Sequence, residues 1–475
     1  MSLYEDLSAK LASHNQQQVL RFFNELDTAA QQKLAGQINE LELDHLDKLI
    51  QKYVVSPVKS EPPKQIEPAP YYPAKPADSE QAEFYARAMV CGEELIRQGK
   101  VAILTVAGGQ GSRLGFDGPK GSYLITPIRH KSLFECFAGA ILRSQEKYDA
   151  KLVWYIMTSP LNNQQTMDFF AQNDYFGLNR ENVVFFVQGT MPAVAYDGKL
   201  LLAAKDSLAL APDGHGGTLL ALKKSGALAR MIADDVEYIS YFQVDNPLVP
   251  VVNPLFIGLH TLCNSQVSAI MLPKTNAFEK LGNFCRIDGR TEIIEYSDLP
   301  EKLATQTNAD GTLRFIAGSP AIQVFSRDFI EQLTGHGDLS LPWHRADKKV
   351  PYVDEQGRLI TPDKPNAVKL ESFIFDSLPL AKEVMILEGS REDMFGPTKN
   401  KTGVDSVESC RMMLMERDAR RLAAAGVMIP RHEDGSLNCE IEIAPRLAID
   451  AADVANLVAE RKIIEIKTGE KFILD

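Results

Sequence analysis

The residues best suited to chemistry are glycines and cations close together in one short segment. Gly108, Gly109 and Gly111 directly follow an apolar run, and Arg113 and Lys120 come soon after them. Glycine lets backbone N–H groups approach an anion closely, and the two cations add fixed positive charge. The segment therefore predicts a loop that binds the phosphate groups of a ligand.

Two common phosphate loops do not match this segment. A dinucleotide fingerprint would need glycine where Leu114 stands, and an acidic residue where the next apolar run ends in Thr158-Ser159. The Walker string G-x-x-x-x-G-K-[ST] does not occur. What remains is G-G-x-G-x-R-L-G-x-x-x-P-K, which resembles the signature of sugar-nucleotide pyrophosphorylases. The alternative is a plain glycine turn with two solvated cations.

Two further strings carry candidate ligand-binding residues. Leu210–Thr218 (LAPDGHGGT) places glycines at the start of a predicted helix, where backbone donors and the helix dipole suit a base edge or sugar hydroxyls. Asp245 follows a buried apolar run, at the edge of a sheet where ligands bind in open α/β folds. Its carboxylate could hold Mg²⁺. The alternatives are an ordinary turn for the glycines and a turn or cap role for the aspartate.

Composition limits the class of protein that carries these strings. The chain has 475 residues, 45% of them hydrophobic and 24% charged, which is typical of a globular protein with more than one domain. Its formal charge of −12 argues against a protein that coats nucleic acid. Six cysteines without CxxC spacing indicate neither a disulfide framework nor a zinc site. With no leader or membrane-spanning run in view, we expect a cytoplasmic protein that does not bind membranes.

Hydrophobic patterning predicts the elements that must position these residues. Apolar runs of strand length at 101–107, 152–159, 183–187, 236–244 and 267–272 alternate with predicted helices at 80–98, 133–144, 162–173, 217–232 and 254–263. Ser79 is the expected cap and Gly99 the expected stop of the helix at 80–98. Strands without polar alternation, separated by helices, predict an α/β fold with a mainly parallel sheet covered on both faces. Residues 284–297 predict a hairpin that turns at Asp288-Gly289.

Three domains are expected. Residues 1–78 form an amphipathic helical layer followed by a connector, in which seven prolines within 56–76 exclude helix and central strand. This connector is either a linker or a strap on the next domain. Residues 79–400 form the α/β domain, in which 369–388 is expected to be a helix and then a strand. Residues 401–475 form a small C-terminal domain, with a helix at 405–425 and β-like runs at IEI, IIEIK and FILD.

Together the strings resemble the eukaryotic-type UDP-N-acetylglucosamine pyrophosphorylases, within the UTP-dependent sugar-1-phosphate uridylyltransferases. The resemblance covers roughly residues 20–405. It extends to LALAPDGHGGTLLAL, YFQVDNPLVPVVNPLFIG, KTNAFEKLGNFCRIDGRTEIIEYSDLP and the long segment that ends in MFGPTKN. It implies a Rossmann-like nucleotidyltransferase core that forms a UDP-sugar and pyrophosphate from UTP and a sugar 1-phosphate.

The resemblance also implies roles for individual residues. Gly108, Gly109, Gly111, Arg113 and Lys120 would hold the UTP phosphates, with Lys399 reaching them from the closing segment and Asp245 holding Mg²⁺. Gln188 and Gly214 would lie near the uracil. The residues implied on the sugar side are His215, Gly282, Glu295, Tyr296, Ser319, Phe373 and Phe375.

Two departures from the family fall on the sugar side. The family usually has Asn in place of His215, and a Gly-Asn pair where this chain has Gly318-Ser319. Glycines flanking a histidine are more typical of UDP-glucose enzymes. The other residues implied on the sugar side are those of the family (Gly282, Glu295, Tyr296, Phe373 and Phe375), so N-acetylglucosamine 1-phosphate is the expected acceptor. The open alternatives are a UDP-glucose or broad-specificity enzyme and, in another class, a catalytically silent nucleotide-sugar binding protein.

We expect a monomer or weak homo-oligomer that binds no nucleic acid.

Overall fold

The computed structural model describes residues 2–56, 65–335 and 340–475. The α-helices are α1 Leu3–Ala12, α2 Thr28–Glu40, α3 Leu43–Ile50, α4 Ser79–Arg97, α5 Leu133–Tyr148, α6 Asn163–Gln172, α7 Gly217–Lys224, α8 Ala227–Ala233, α9 Pro254–Leu262, α10 Glu301–Ala304, α11 Arg327–Leu333, α12 Arg391–Met394, α13 Val407–Ala424 and α14 Ala451–Arg461. Among the described residues, none of these helices is long and apolar enough to cross a membrane.

The strands follow in chain order. They are β1 Ile66–Pro68, β2 Val101–Val106, β3 Trp154–Thr158, β4 Val183–Val187, β5 Thr190–Pro192, β6 Val194–Ala195, β7 Leu202–Ala204, β8 Ser207–Leu208, β9 Leu210–Pro212, β10 Tyr238–Gln243, β11 Val267–Pro273, β12 Gly282–Ile287, β13 Arg290–Ile294, β14 Ala317–Ser319, β15 Gln323–Ser326, β16 Trp343–Lys348, β17 Tyr352–Val353, β18 Leu359–Ile360, β19 Ala367–Ser372, β20 Val384–Glu388, β21 Glu440–Ile443 and β22 Lys471–Leu474.

The chain divides into two compact units that do not follow chain order. One consists of Met1–Pro63, Gln188–Thr218 and Ser340–Asp376, and the other of Lys64–Val187, Leu219–Leu339 and Ser377–Asp475. The domain boundaries expected after residues 78 and 400 stay predictions. Compact units are defined by packing between segments, whereas these boundaries divide the chain at single positions.

The larger unit contains the predicted α/β sheet. Its strand order is β1-β12-β14-β11-β15-β10-β2-β3-β4, with β13 beside β12 and β20 beside β11. Strands β10, β2, β3 and β4 are parallel, and β15 is antiparallel to both of its neighbours. All five residues of β3 are buried, so both faces of the sheet are covered there. The predicted mainly parallel α/β fold is confirmed, with an antiparallel extension beyond β10.

The smaller unit contains the predicted N-terminal helical layer. The buried faces of α1, α2 and α3 form one hydrophobic core with Val194, Leu202, Val368 and Leu370, which lie on short β-strands of the same unit. The sheet in this unit has the order β16-β19-β6. Apolar residues at three- and four-residue steps along the N-terminal helices therefore face strands from distant parts of the chain.

Several local predictions are corrected. The cap of α4 is Asp78 rather than Ser79, because the Asp78 carboxylate accepts the N–H of Gln81 (2.8 Å). The helix expected at 217–232 is two helices, since Gly226 adopts a positive φ of 81° between them. The helix expected at the start of 369–388 is wrong. Strand β19 pairs with β16 and β6, and the segment after it contains Pro379 within a 3₁₀-helix.

The described part of the proline-rich connector after residue 64 and the C-terminal residues belong to the larger unit. Residues 57–64 of the proline-rich stretch lie outside the described residues. Beyond them, β1 pairs with β12 and Tyr72 bonds to the backbone of β20, so the described part of the connector is a strap. The C-terminal residues form a core of their own, in which β21 and β22 pair in parallel. The run IIEIK contributes one isolated bridge, Met428 to Glu465, rather than a strand.

Candidate active site

The glycine loop, residues 107–122, leaves the carboxyl end of β2 and closes on itself. The N–H of Ala107 donates to Met157 in the neighbouring strand (2.7 Å). Within the loop, Gly111 N donates to the carbonyl of Gly118 (2.9 Å), and Lys120 N donates to that of Gly109 (3.0 Å). These bonds fix both ends of the segment that the sequence predicted to bind phosphates.

At two positions of this loop, a phenylalanine ring leaves no space for a side chain. A Cβ on Gly111 would lie 2.6 Å from the ring of Phe116, and a Cβ on Gly121 would overlap the ring of Phe134. At Gly109, in contrast, a Cβ would meet nothing within 4 Å. Packing within the protein therefore does not explain that glycine, and the open space beside it is available to a ligand.

Sequence analysis missed Asn162, whose side chain hydrogen-bonds to the backbone of the glycine loop. Its fully buried side chain donates from Nδ2 to the carbonyl oxygens of Ala107 (2.9 Å) and Gly109 (3.3 Å). Its Oδ1 accepts the N–H of Ser159 (2.8 Å). The available signal was an asparagine at the first position of the helix predicted at 162–173, which is ordinarily a sign of a helix cap.

Lys120 and Asp245 meet at the carboxyl edge of the parallel sheet. Strand β10 pairs in parallel with β2, so residues that follow the two strands lie at one edge. The Nζ of Lys120 lies 3.7 Å from Oδ2 of the buried Asp245. Arg113 is exposed in the 3₁₀-turn Ser112–Leu114 and bonds to no residue in the described part of the chain.

The closing segment brings Lys399 to the same edge. The N–H of Thr398 donates to the backbone carbonyl of Asp245 (2.8 Å), and the Nζ of Lys399 lies 3.5 Å from Oδ2 of Asp405. The side chain of Lys401, which sequence analysis missed, lies beside Gly115, its Nζ 3.8 Å from the position of a Cβ there. Lys120 and Lys401 thus lie at the glycine loop, and the segment that carries Lys399 is bonded to the backbone of Asp245.

Part of the predicted sugar side lies on the antiparallel extension of the sheet. Gly282 stands directly opposite Ser319 in the register of β12 and β14. A Cβ on Gly282 would lie 2.6 Å from Ile293 and 3.8 Å from Oε1 of Glu295. The structure therefore brings Gly282, Glu295 and Ser319 together, while Tyr296 is 45% exposed at the end of the hairpin.

Lys274 and Asn283 were not anticipated beside this group. The buried Nζ of Lys274 donates to Oδ1 of Asn283 (2.7 Å) and to the carbonyl of Ala277 (3.1 Å). Burial lowers the pKa of Lys274 from its ordinary value. Asn283 in turn donates to the carbonyl of Ile294, so the pair fixes the hairpin next to Glu295.

The smaller unit holds the predicted uracil loop. Gln188 is buried and donates from Nε2 to Oδ1 of Asp213 (3.2 Å) and to the carbonyl of Gly214 (2.8 Å). Gly214 has a φ of 85°, and a Cβ there would overlap the carbonyl oxygen of Ser372. Strand β19 therefore packs directly against the loop, and only glycine fits this position.

His215 lies in an aromatic group together with Phe373 and Phe375. The two phenylalanine rings stack with centroids 5.1 Å apart, and the imidazole lies 5.3 Å from Phe373 and 5.7 Å from Phe375. Burial lowers the pKa of His215 to about 4, and its Nδ1 accepts the N–H of Ile374 (3.2 Å). The ring is therefore neutral at pH 7 with its proton on Nε2, which makes it a hydrogen-bond donor as an asparagine amide would be.

A parallel α/β sheet with a glycine loop, adjacent lysines and one carboxylate at its edge defines a nucleotidyltransferase-like protein. The sequence profile of the family described as UTP–glucose-1-phosphate uridylyltransferase matches residues 58–432. The chain belongs to this family.

Three similar proteins show how far the likeness extends. The UDP-N-acetylhexosamine pyrophosphorylase-like protein 1 of Mus musculus is 35% identical, over 90% of this chain and 87% of its own. UDP-N-acetylglucosamine diphosphorylase 2 of Arabidopsis thaliana is 33% identical, over 90% and 86%. The solved structure of the uridine diphosphate N-acetylglucosamine pyrophosphorylase of Trypanosoma brucei has a TM-score of 0.82 and 24% identity, covering 100% of this chain and 99% of its own, and it shows the shared fold.

Proposed function

We propose that this protein transfers a uridylyl group from UTP to N-acetylglucosamine 1-phosphate, forming UDP-N-acetylglucosamine and pyrophosphate. The observation that carries the proposal is the meeting of Lys120, Asp245 and the Lys399 segment at the end of the glycine loop. Family membership and the names of the relatives in mouse and Arabidopsis support the same reaction.

The chemistry needs alignment and charge more than a base. An oxygen of the sugar phosphate attacks the α-phosphorus of UTP, and the bond from that phosphorus to the pyrophosphate oxygen breaks. The attacking phosphate is already ionised at neutral pH, so no Ser-His-Asp arrangement is required. Positioning and electrostatic stabilisation supply the acceleration, and we assign that work to Arg113, Lys120 and Lys399.

Mg²⁺ fits this site through Asp245. No group of three or more potential ligands occurs among the described residues, but magnesium commonly uses one or two carboxylates and completes its shell with water and substrate phosphates. The buried carboxylate of Asp245 beside the glycine loop is such an oxygen donor. When bound, the metal would neutralise charge on the phosphates; Asp245 would hold it and Lys120 would contact the same anion.

The remaining roles follow the resemblance. We assign Gly108, Gly109 and Gly111 to the phosphates, and Gln188 and Gly214 to the uracil. The sugar contacts are assigned to His215, Gly282, Glu295, Tyr296, Ser319, Phe373 and Phe375. A cytoplasmic location and a monomer or weak homo-oligomer stay predictions.

A UDP-glucose or broad-specificity enzyme is the second candidate. His215 and Ser319 favour it, because both replace amide side chains that are usual in the N-acetylglucosamine enzymes. A catalytically silent binding protein is disfavoured, because binding alone gives no reason to place Lys120, Asp245 and Lys399 together.

The decisive experiment offers the purified protein UTP, Mg²⁺ and a panel of sugar 1-phosphates, with pyrophosphate release as the readout. We expect the highest kcat/KM with N-acetylglucosamine 1-phosphate. A higher value with glucose 1-phosphate would establish the second candidate. Nucleotide-sugar binding without pyrophosphate release from any acceptor would establish the silent one.

A further inference from the structure

A cavity of about 500 Å³ lies within the larger unit, away from the glycine loop. Its walls come from α5, from the turn 247–254 and from the C-terminal segment. The apolar part of the lining includes Phe137, Tyr148, Met394 and Ile449. The volume falls in the range that small organic ligands occupy in proteins.

The polar part of the lining includes two cations, Arg417 and Lys147, that already pair with carboxylates. Arg417 on α13 donates to the adjacent Asp418 at 2.9 and 3.0 Å. Lys147 on α5 pairs with Asp450 and, at 3.2 Å, with Asp453. These pairs neutralise each other and leave little net charge.

Arg421, one helical turn beyond Arg417, is the exception in this cavity. Its guanidinium makes no hydrogen bond or ion pair with any residue that the structure describes. Burial and the charge of Arg417 lower its pKa to about 10, with Asp418, Asp393 and Asp450 acting in the opposite direction.

Those three carboxylates do not satisfy the Arg421 guanidinium. Asp418 is bonded by Arg417, Asp450 by Lys147, and Asp393 by Arg420 at 3.0 Å. Glu93 also lines the cavity but is not among the groups that act on Arg421. A guanidinium that is partly removed from water without a direct partner is unfavourable, so Arg421 would be stabilised by an oxyanion that reaches it.

We propose that this cavity binds a small organic anion, whose carboxylate or phosphate group pairs with Arg421 and whose apolar part lies against Phe137 and Met394. The planar fork of an arginine matches both kinds of oxyanion, and the apolar wall adds affinity that inorganic phosphate cannot gain.

An occupant would also contact the segments that carry the proposed catalytic residues, and this part of the inference rests on the proposed function. Pro247 and Leu248 line the cavity directly after Asp245-Asn246. Asn246 donates to the carbonyl of Met394 (2.7 Å) and accepts the N–H of Gly396 (3.0 Å), which links this turn to the segment that leads to Lys399. We therefore infer that the anion alters the reaction from a distance.

The binding test uses 1-anilinonaphthalene-8-sulfonate, an aromatic anion that fluoresces in apolar surroundings, with phenyl phosphate and benzoate as competitors. Arg421→Gln should weaken probe binding about tenfold or more, a loss typical of one charge-assisted contact. Arg461→Gln, the same change at an exposed position of α14 outside the cavity, should bind the probe as the parent does.

A second variant leaves the charge in place. Ala140→Leu adds volume to the cavity wall and should reduce binding while Arg421 is present. In the absence of probe, Arg421→Gln should raise the thermal midpoint, since it removes an unpartnered and partly buried charge. A merely structural arginine would lower it. Equal probe binding by the parent and by folded Arg421→Gln and Ala140→Leu variants would overturn the proposal.

The activity test measures pyrophosphate release by the full-length protein with increasing phenyl phosphate. KM for UTP or kcat should change in the parent and in Arg461→Gln but not in Arg421→Gln. Probe binding without any such change overturns the coupling. A protein with no activity even without phenyl phosphate would instead count against the proposed function, and the fluorescence result would stand separately.

Discussion

At the scale of residues, this acidic protein concentrates its chemistry in a few cations. Its formal charge is −12, yet Arg113 and Lys120 lie on the glycine loop, Lys401 lies beside it, and the Lys399 segment is bonded to Asp245. Two anionic substrates can therefore be held without an overall positive surface, because a local cluster is sufficient. The carboxylate of Asp245 lies beside Lys120, where it could hold the proposed Mg²⁺.

Replacing Lys120 with alanine should lower kcat about 10²-fold or more, because a fixed charge aimed at the reacting phosphates is removed. Steady-state pyrophosphate release measures the effect, with circular dichroism to verify the fold. Lys151→Ala, at an exposed lysine outside the glycine loop whose Nζ lies 4.0 Å from Asp234, should retain parental turnover. Full activity in a folded Lys120→Ala protein would remove this lysine from the mechanism.

Activity should require a divalent cation and be lost in excess chelator. Asp245→Asn should raise the Mg²⁺ concentration for half-maximal rate about tenfold, since loss of a metal-binding carboxylate weakens affinity by at least that order. Titration of Mg²⁺ at saturating UTP measures the shift. Unchanged rates in chelator would contradict the metal assignment.

At the scale of elements, strands and tight backbone approaches place the loops. Asn162 at the start of α6 holds the glycine loop, and β19 packs against the uracil loop closely enough to require glycine at 214. Buried polar side chains fix helices in the same way. His260 on α9 contacts the hydroxyls of Ser268 (2.8 Å) and Ser326 (2.9 Å) in the adjacent sheet.

Gly214→Ala should lower the free energy of unfolding by about 3 kcal/mol or more, because a positive φ and a backbone overlap act together. Gly226→Ala is the matched control. Its φ of 81° is similar, but a Cβ there meets nothing within 4 Å, so about 1 kcal/mol is expected. Urea denaturation compares the two, and equal losses would contradict the packing argument.

Stability should fall as pH decreases from about 6.5 towards 4.5, partly through His260. Burial lowers its pKa to about 3, so in this range the unfolded chain binds a proton that the folded chain does not. Stability therefore rises with pH, and the contribution over two pH units is about 2 kcal/mol. His260→Gln should show a smaller difference in unfolding free energy between pH 6.5 and 4.5. An unchanged difference would remove His260 from the acid response.

At the scale of the whole molecule, distant segments assemble two compact units. The smaller unit takes its residues from three parts of the chain and contains the predicted uracil loop, His215 and the two phenylalanines. The larger unit contains the glycine loop, Asp245, Lys399 and the Gly282–Ser319 group. The residues that the resemblance implies for the sugar side therefore come from segments far apart along the chain.

Ser319→Asn should increase the preference for N-acetylglucosamine 1-phosphate over glucose 1-phosphate. Asparagine restores the family's amide opposite Gly282, and one such hydrogen bond changes discrimination by about 1–3 kcal/mol. The ratio of kcat/KM values for the two acceptors measures this. Ser13→Asn, at an exposed position in the smaller unit, should leave the ratio unchanged. If glucose 1-phosphate is the better substrate and Ser319→Asn does not move the ratio, the proposed acceptor is wrong.

The sequence by itself determined the features that depend on neighbours along the chain. Apolar runs predict strands, so Val183–Val187 was predicted residue for residue. The Asp288-Gly289 turn was predicted because both residue types tolerate the positive φ angles that such a turn requires. The glycine loop and Asp245 were placed correctly because parallel strands end at one edge. Only the tertiary structure decided β19, whose residues favour helix locally but pair with Trp343–Lys348 and Val194–Ala195. It also decided the contacts of Asn162, Lys274 and Arg421, because burial and partner choice depend on segments far away in sequence, and local patterns contain no information about them.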